Sequence, residues 1–204
     1  MVASKVFCLG FQKTGTTSMA VFFESMGLRV AGYNNFREME KGDISRERVL
    51  EHAIHIMKDH DCAQDTPWYV LYKELDATFP NSKFIHVVRD TESWIKSATS
   101  HFEHYPKNFH TWIYGCPYPR GHEQTWIDTY EQHNSDVKDY FSGRPDDYLF
   151  LRLDEVVGRS KEIARFIGYE GPVPEWPHAN KNAENTNKGF LQRFGLRRLV
   201  RRSR

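Results

Sequence analysis

The chain has 204 residues, 39% of them hydrophobic and 14% aromatic, which suits one folded domain and excludes a disordered chain. Its 28 Lys and Arg against 27 Asp and Glu leave a net charge of +1, which excludes a binder of nucleic acid by bulk charge. No run reaches the ~18 apolar residues of a membrane span. Three widely spaced cysteines (Cys8, Cys62, Cys116) and a start without a signal-peptide pattern predict a cytoplasmic protein.

Strand and helix signals then alternate. Residues 5–9 form a short apolar run ending at Gly10 and predict a buried strand. A helix is expected over 16–26, with Met19, Phe22, Phe23 and Met26 at helical spacing and Gly27 as its stop. Residues 28–33 read as a second strand. Val49, Ala53, Ile56 and Met57 predict a helix over 45–60 with Ser45 as its cap. A further helix over 68–79 stops at Pro80-Asn81. Residues 83–88 are the clearest strand, followed at once by a helix over 91–104. Pro106, Gly115, Pro117, Pro119 and Gly121 predict a loop over 105–121. A polar helix over 123–141, a strand over 148–153 and a helix over 155–167 follow. Residues 171–189 read as irregular and 190–204 as a basic tail. The alternation predicts an α/β fold, a three-layer parallel sheet with helices on both faces, in a single domain over 1–204.

The loop Gly10-Phe11-Gln12-Lys13-Thr14-Gly15-Thr16-Thr17 lies between the first strand and its helix. Backbone N–H groups at such a helix start point at an anion. Gly10 and Gly15 have the spacing of a Walker A loop, but Thr16 stands where that loop carries its lysine. The lysine is Lys13, inside the loop. That departure argues against a nucleoside triphosphatase and points to an anion held by amides, hydroxyls and a differently placed ammonium. Lys13-Thr14-Gly15-Thr16-Thr17-Ser18 resembles the first signature of sulfotransferases that use 3′-phosphoadenosine-5′-phosphosulfate (PAPS), enzymes of P-loop NTPase-like fold. The resemblance implies that Gln12, Lys13, Thr14, Gly15, Thr16, Thr17 and Ser18 form the grip on the 5′-phosphosulfate, with Lys13 on the bridging oxygen and sulfonyl group.

A second strand–turn–helix repeats the logic. Arg89 ends the strand over 83–88, at the edge where open α/β sheets bind ligands, and Ser97 follows eight residues later. This is similar to the family's second signature, which implies that Arg89 and Ser97 hold the nucleotide's 3′-phosphate. Lys188-Gly189 resembles the family's C-terminal loop over the same phosphate. The resemblance runs over about residues 5–189 and is to a small, compact branch of the superfamily. It implies transfer of a sulfuryl group from PAPS to a hydroxyl or amine of a small-molecule or glycan acceptor, with release of adenosine 3′,5′-bisphosphate (PAP) and no metal. The alternatives are a nucleotide kinase or triphosphatase of related fold, and a non-catalytic nucleotide-binding module.

An acceptor hydroxyl needs a base. Asp65 takes the place of the histidine that serves the cytosolic family members, and Ala63 that of its accompanying lysine. Asp65-Thr66-Pro67 also reads as a helix cap. Glu38 and Glu40 are rival bases or members of a solvated loop. The pairs His52/His55 and His101/His104 have metal-compatible spacing, but no further ligands complete a site, so solvated or capping roles are expected. The aromatic loop 102–118 is expected as a lid or acceptor pocket, or as core packing, and Trp68 and Tyr69 as residues facing nucleotide or acceptor. The arginine-rich tail is either a frayed helix end or a surface for a membrane, a polyanion or the 3′-phosphate.

Overall fold

A computed structural model describes residues 4–103 and 106–177. Five strands, β1 (Val6–Cys8), β2 (Val30–Ala31), β3 (Cys62–Ala63), β4 (Lys83–Val88) and β5 (Tyr148–Arg152), form one sheet of order β2-β3-β1-β4-β5. Every pairing is parallel. Among the described residues, seven α-helices accompany them: α1 (Thr16–Ser25), α2 (Arg46–Ile56), α3 (Tyr72–Thr78), α4 (Thr91–Phe102), α5 (Asn108–Tyr114), α6 (Glu123–Tyr140) and α7 (Ser160–Phe166). Among the described residues, no helix is long and apolar enough to cross a membrane.

The period-two alternation of side chains sorts the core onto the two faces of the sheet. Phe7, Leu9 and Phe84 point to one face and pack with Val49 and Ala53 of α2, Leu75 of α3 and Val137 of α6. Val6, Cys8, Ile85, Val87 and Leu151 point to the other, against Met19, Phe22 and Phe23 of α1 and Ile163 and Ala164 of α7. The expected α/β sandwich is therefore observed. A third cluster, built on Phe11, Trp94, Tyr114, Trp126 and Tyr130, ties α4, α5 and α6 together. Trp94 stacks on Tyr130 with centroids 4.0 Å apart, and Tyr114 on Trp126 at 3.7 Å.

β4 occupies its predicted residues, and Ser45 caps α2 by accepting the Arg48 N–H at 3.3 Å. Four differences have physical causes. β3 is only Cys62–Ala63, too short for a periodic signal, and exists because both neighbours pair with it. The predicted loop over 105–121 contains α5, whose bounding prolines lie outside it and whose end is closed by Gly115 at φ 72°. The helix over 68–79 opens as a 3₁₀ turn, Trp68–Leu71, before α3 begins. The helix over 155–167 likewise opens as a 3₁₀ turn, Val156–Arg159, ahead of α7.

The central position of β1 and β4 sets the site. The sheet is parallel, so the loops after these neighbours emerge side by side at its C-terminal edge.

Candidate active site

The loop after β1 is shaped from beneath. The Thr14 hydroxyl donates to the Phe11 carbonyl at 2.6 Å and the Thr14 N–H donates to the same oxygen at 3.2 Å. Lys13 at φ 71° and Gly15 at φ 90° both occupy the left-handed region, which turns the chain sharply into α1. Gly15 stands at the N-cap, so it leaves the first amides of α1 without a side-chain partner of its own. A Cβ on Gly10 would meet the Val87 carbonyl oxygen at 2.4 Å and the Thr14 hydroxyl at 2.5 Å. Gly10→Ala is therefore expected to destabilise the fold by about 1–3 kcal/mol, read as a fall in Tm of roughly 3–10 °C.

Gln12 is buried and its side chain is turned into the protein. Its Nε2–H donates to the Tyr114 hydroxyl at 2.6 Å, and its Oε1 accepts from Tyr69 at 2.7 Å. The Trp94 indole N–H donates to the Gln12 carbonyl at 2.9 Å. Gln12 thus anchors the loop to α4 and α5 through buried, charge-free hydrogen bonds. The end of β4 is clamped in the same way: the Arg89 N–H donates to Tyr130, whose hydroxyl donates back to the Arg89 carbonyl at 2.8 Å. The Arg89 guanidinium then reaches the carbonyl of Lys13 at 3.4 Å.

These elements wall a cavity of about 570 Å³. Gln12, Lys13, Gly15, Thr16, Thr17 and Ser18 of the loop after β1 and the start of α1 line it. Arg89 from the β4 turn and Ser97 from α4 line it too, and Asp65 and Thr66 enter from the segment after β3. The wall is completed by Tyr33, His101, Phe102, Lys107, His110, Leu153 and Trp176. Three fixed cations, Lys13, Arg89 and Lys107, face one carboxylate, Asp65, so the cavity is built for anions.

The charges tune one another. Burial holds the Lys13 ammonium below the ordinary lysine range; Asp65 works against that shift and Arg89 adds to it. Burial raises the Asp65 carboxyl above the usual carboxylate range, while the Thr66 N–H, Lys107 and Lys13 oppose it. Asp65 also sits at φ 71°, and its Oδ1 accepts the Thr66 N–H at 2.8 Å. Two of the lining residues, Lys13 and Asp65, are thus non-glycine residues in the left-handed region, a conformation that clusters at functional sites.

The sulfotransferase domain family matches residues 5–120, more than half of the chain. The chain belongs to the sulfotransferase domain family. The fold is shared with a sulfotransferase from Alicyclobacillus acidocaldarius, 14% identical at a TM-score of 0.54, over 86% of this chain and 85% of that one. It is shared too with the sulfotransferase domain of the Synechococcus PCC 7002 olefin synthase, 13% identical at 0.53, over 92% of this chain and 82% of that one. The sulfotransferase domain from the curacin biosynthetic pathway is 15% identical at 0.51, over 83% and 75% of the two chains. No curated protein matches the sequence.

In this sulfotransferase domain, most of the residues expected from the sequence converge. Lys13, Gly15, Thr16, Thr17, Ser18, Asp65, Arg89 and Ser97 share the cavity, whereas Thr14 spends its hydroxyl inside the loop. Asp65 caps no helix with its side chain; only its backbone carbonyl takes the Trp68 N–H at 2.9 Å. Glu38 is exposed and pairs with Lys41 at 2.6 Å, away from the cavity. Glu40 does not line it either. Its Oε2 accepts the Asn108 N–H at 2.8 Å and so holds the start of α5. Trp68 and Tyr69 are buried in the core rather than turned to a ligand. Lys188, Gly189 and the basic tail lie outside the described residues.

Sequence reasoning missed Tyr33, Lys107, His110, Leu153 and Trp176, read Thr66 only as part of a helix cap, and gave His101 a solvated or capping role in preference to a metal site. His101 lies four residues after Ser97 on α4, one turn along the same face, a signal that was present. The aromatic segment divides: Phe102 lines the cavity, while Phe109 and Tyr114 are core.

Proposed function

We propose that this domain transfers a sulfuryl group from PAPS to a hydroxyl or amine of a small-molecule or glycan acceptor and releases PAP. The observation that supports this reading is the meeting, in one cavity, of two groups of residues whose chemistry suits anions. One is Lys13 with the start of α1, and the other is Arg89 with Ser97. A donor with a phosphosulfate at one end and a 3′-phosphate at the other needs two such groups.

The residue chemistry fits that donor. The first amides of α1 and the hydroxyls of Thr16, Thr17 and Ser18 supply neutral donors for oxyanions. The Arg89 fork and the Ser97 hydroxyl suit a terminal phosphate. Lys13 offers its ammonium where negative charge grows on the oxygen between phosphorus and sulfur as that bond breaks. Asp65 takes the proton from the acceptor as the new bond to sulfur forms, and burial raises its basicity for that task. PAP leaves with the electron pair of the broken bond.

A thermal melt with PAP tests the reading. At about 100 times its dissociation constant, PAP is expected to stabilise the protein by about 2.7 kcal/mol, a rise in Tm of roughly 5–10 °C. Arg89→Ala is expected to abolish most of that rise, and ATP with Mg²⁺ is expected to give little. A rise with ATP and Mg²⁺ alone would replace the sulfotransferase reading with a kinase.

A further inference from the structure

One cation in the cavity is left over once the donor has been placed. Lys107 immediately precedes α5, and its side chain is half-buried in the cavity wall. Its Nζ lies 3.9 Å from the centre of the Tyr33 ring and 5.9 Å from that of Phe102. Among the described residues, no carboxylate comes within ion-pair distance of it. A half-buried ammonium resting on aromatic faces has lost hydration and has Glu40 and Asp65 near it but in contact with neither, so a ligand anion can pair with it directly.

Arg89 reaches the Lys13 carbonyl at 3.4 Å, whereas Lys107 rests on Tyr33 and Phe102. The charges that act on Lys107 are Glu40, Asp65 and Arg37, whereas Arg89 acts on Lys13. The position is also built rather than incidental. Glu40 accepts the Asn108 N–H at 2.8 Å, and its backbone carbonyl accepts Asn108 Nδ2–H at 2.8 Å, so the residue next to Lys107 is fixed from 68 positions earlier in the chain.

We propose that the acceptor carries a carboxylate or similar small oxyanion near the group that is sulfated, and that Lys107 is the specificity-determining residue that pairs with it. The assignment of Lys107 to the acceptor rests on the donor reading above. Tyr33 and Phe102 beside the ammonium suit an acceptor with a flat or apolar body that links anion to hydroxyl. An acceptor anion next to an anionic donor is repelled without such a cation, which is why a third fixed positive charge belongs here.

The test measures calorimetric binding of matched acids and methyl esters, 4-hydroxyphenylacetate and 3-hydroxybutyrate with their esters, with and without saturating PAP. Wild-type protein is expected to bind at least one acid about tenfold more tightly than its ester, equivalent to about 1.4 kcal/mol. Lys107→Met is expected to erase that preference, Lys107→Arg to retain it, and all three proteins to show the same Tm rise with PAP. Equal affinity for acid and ester, no binding of any acid, or a preference that survives in Lys107→Met would overturn the inference. A PAP rise without acid preference sinks the acceptor assignment alone. Acid preference that depends on Lys107 without a PAP rise upholds the anion site and sinks the donor reading.

Discussion

Exchanging Asp65 for Asn is expected to lower kcat by about 10²–10⁴-fold while the Tm rise with PAP is preserved, because positioned bases contribute on that scale. Asn is the informative replacement. It tolerates the left-handed backbone at φ 71°, and its side-chain oxygen still accepts the Thr66 N–H, so the fold and the loop keep their shape. What it lacks is the ability to take a proton. The pH profile gives a second readout. Asp65 titrates above its ordinary value because it is buried, so wild-type activity is expected to fall as pH drops through that raised pKa. The Asn variant is expected to lose this acid limb together with its activity. An Asn variant with wild-type turnover would remove Asp65 from the chemistry. Glu40 offers no replacement at its present place, since its carboxylate holds α5 and it does not reach the cavity.

The parts of this site that sequence conveyed are those made by local physics. A glycine-rich turn between an apolar strand and a helix puts Lys13 just before α1 and Thr16 and Thr17 at its start, a local pattern that the sequence alone displays. Arg89 and Ser97 are likewise fixed relative to each other by β4 and two turns of α4. The parts that stayed hidden depend on distant partners. β3 is two residues long and is defined by pairing with β1 and β2, yet it delivers Asp65 to the cavity. α5 has seven residues, and the side chain at its start that binds it is Glu40, far away in sequence. Lys107 falls within the loop predicted over 105–121, where no local pattern singles it out. Gln12 shows the opposite error. It lies in the right motif, but Tyr69 and Tyr114 claim its side chain, and neither contact is readable from the loop alone.

Stability is expected to fall steeply between pH 7 and pH 5, because three histidines are buried as neutral rings. The His86 Nε2–H donates to Asn134 Oδ1 at 2.9 Å, which leaves Nδ1 to accept the Tyr148 hydroxyl at 2.8 Å. His133 donates to the Leu9 carbonyl at 2.9 Å, and His110 donates to the Pro117 carbonyl at 3.2 Å. Burial pushes His86 down to about 3 and both His133 and His110 down to about 4. In the unfolded chain these rings titrate near ~6.5. Between those values the unfolded chain binds protons that the folded protein refuses, so the stabilisation present above ~6.5 is lost as pH falls toward 4. Each ring costs about 2 kcal/mol by pH 5, and three together about 6 kcal/mol, a large share of a typical domain's stability. Asp65, with its raised pKa, works in the opposite direction but is a single group. The depressed carboxylates Asp61 and Asp76 lose their stabilisation only below the ordinary carboxylate range, outside the window. Tm is therefore expected to drop by roughly 10–20 °C from pH 7 to pH 5. His86→Gln keeps a donor and an acceptor at the ring's position without the titration, and is expected to remove about a third of the drop. Equal melting temperatures at the two pH values would mean that the histidines accept protons in the folded state after all.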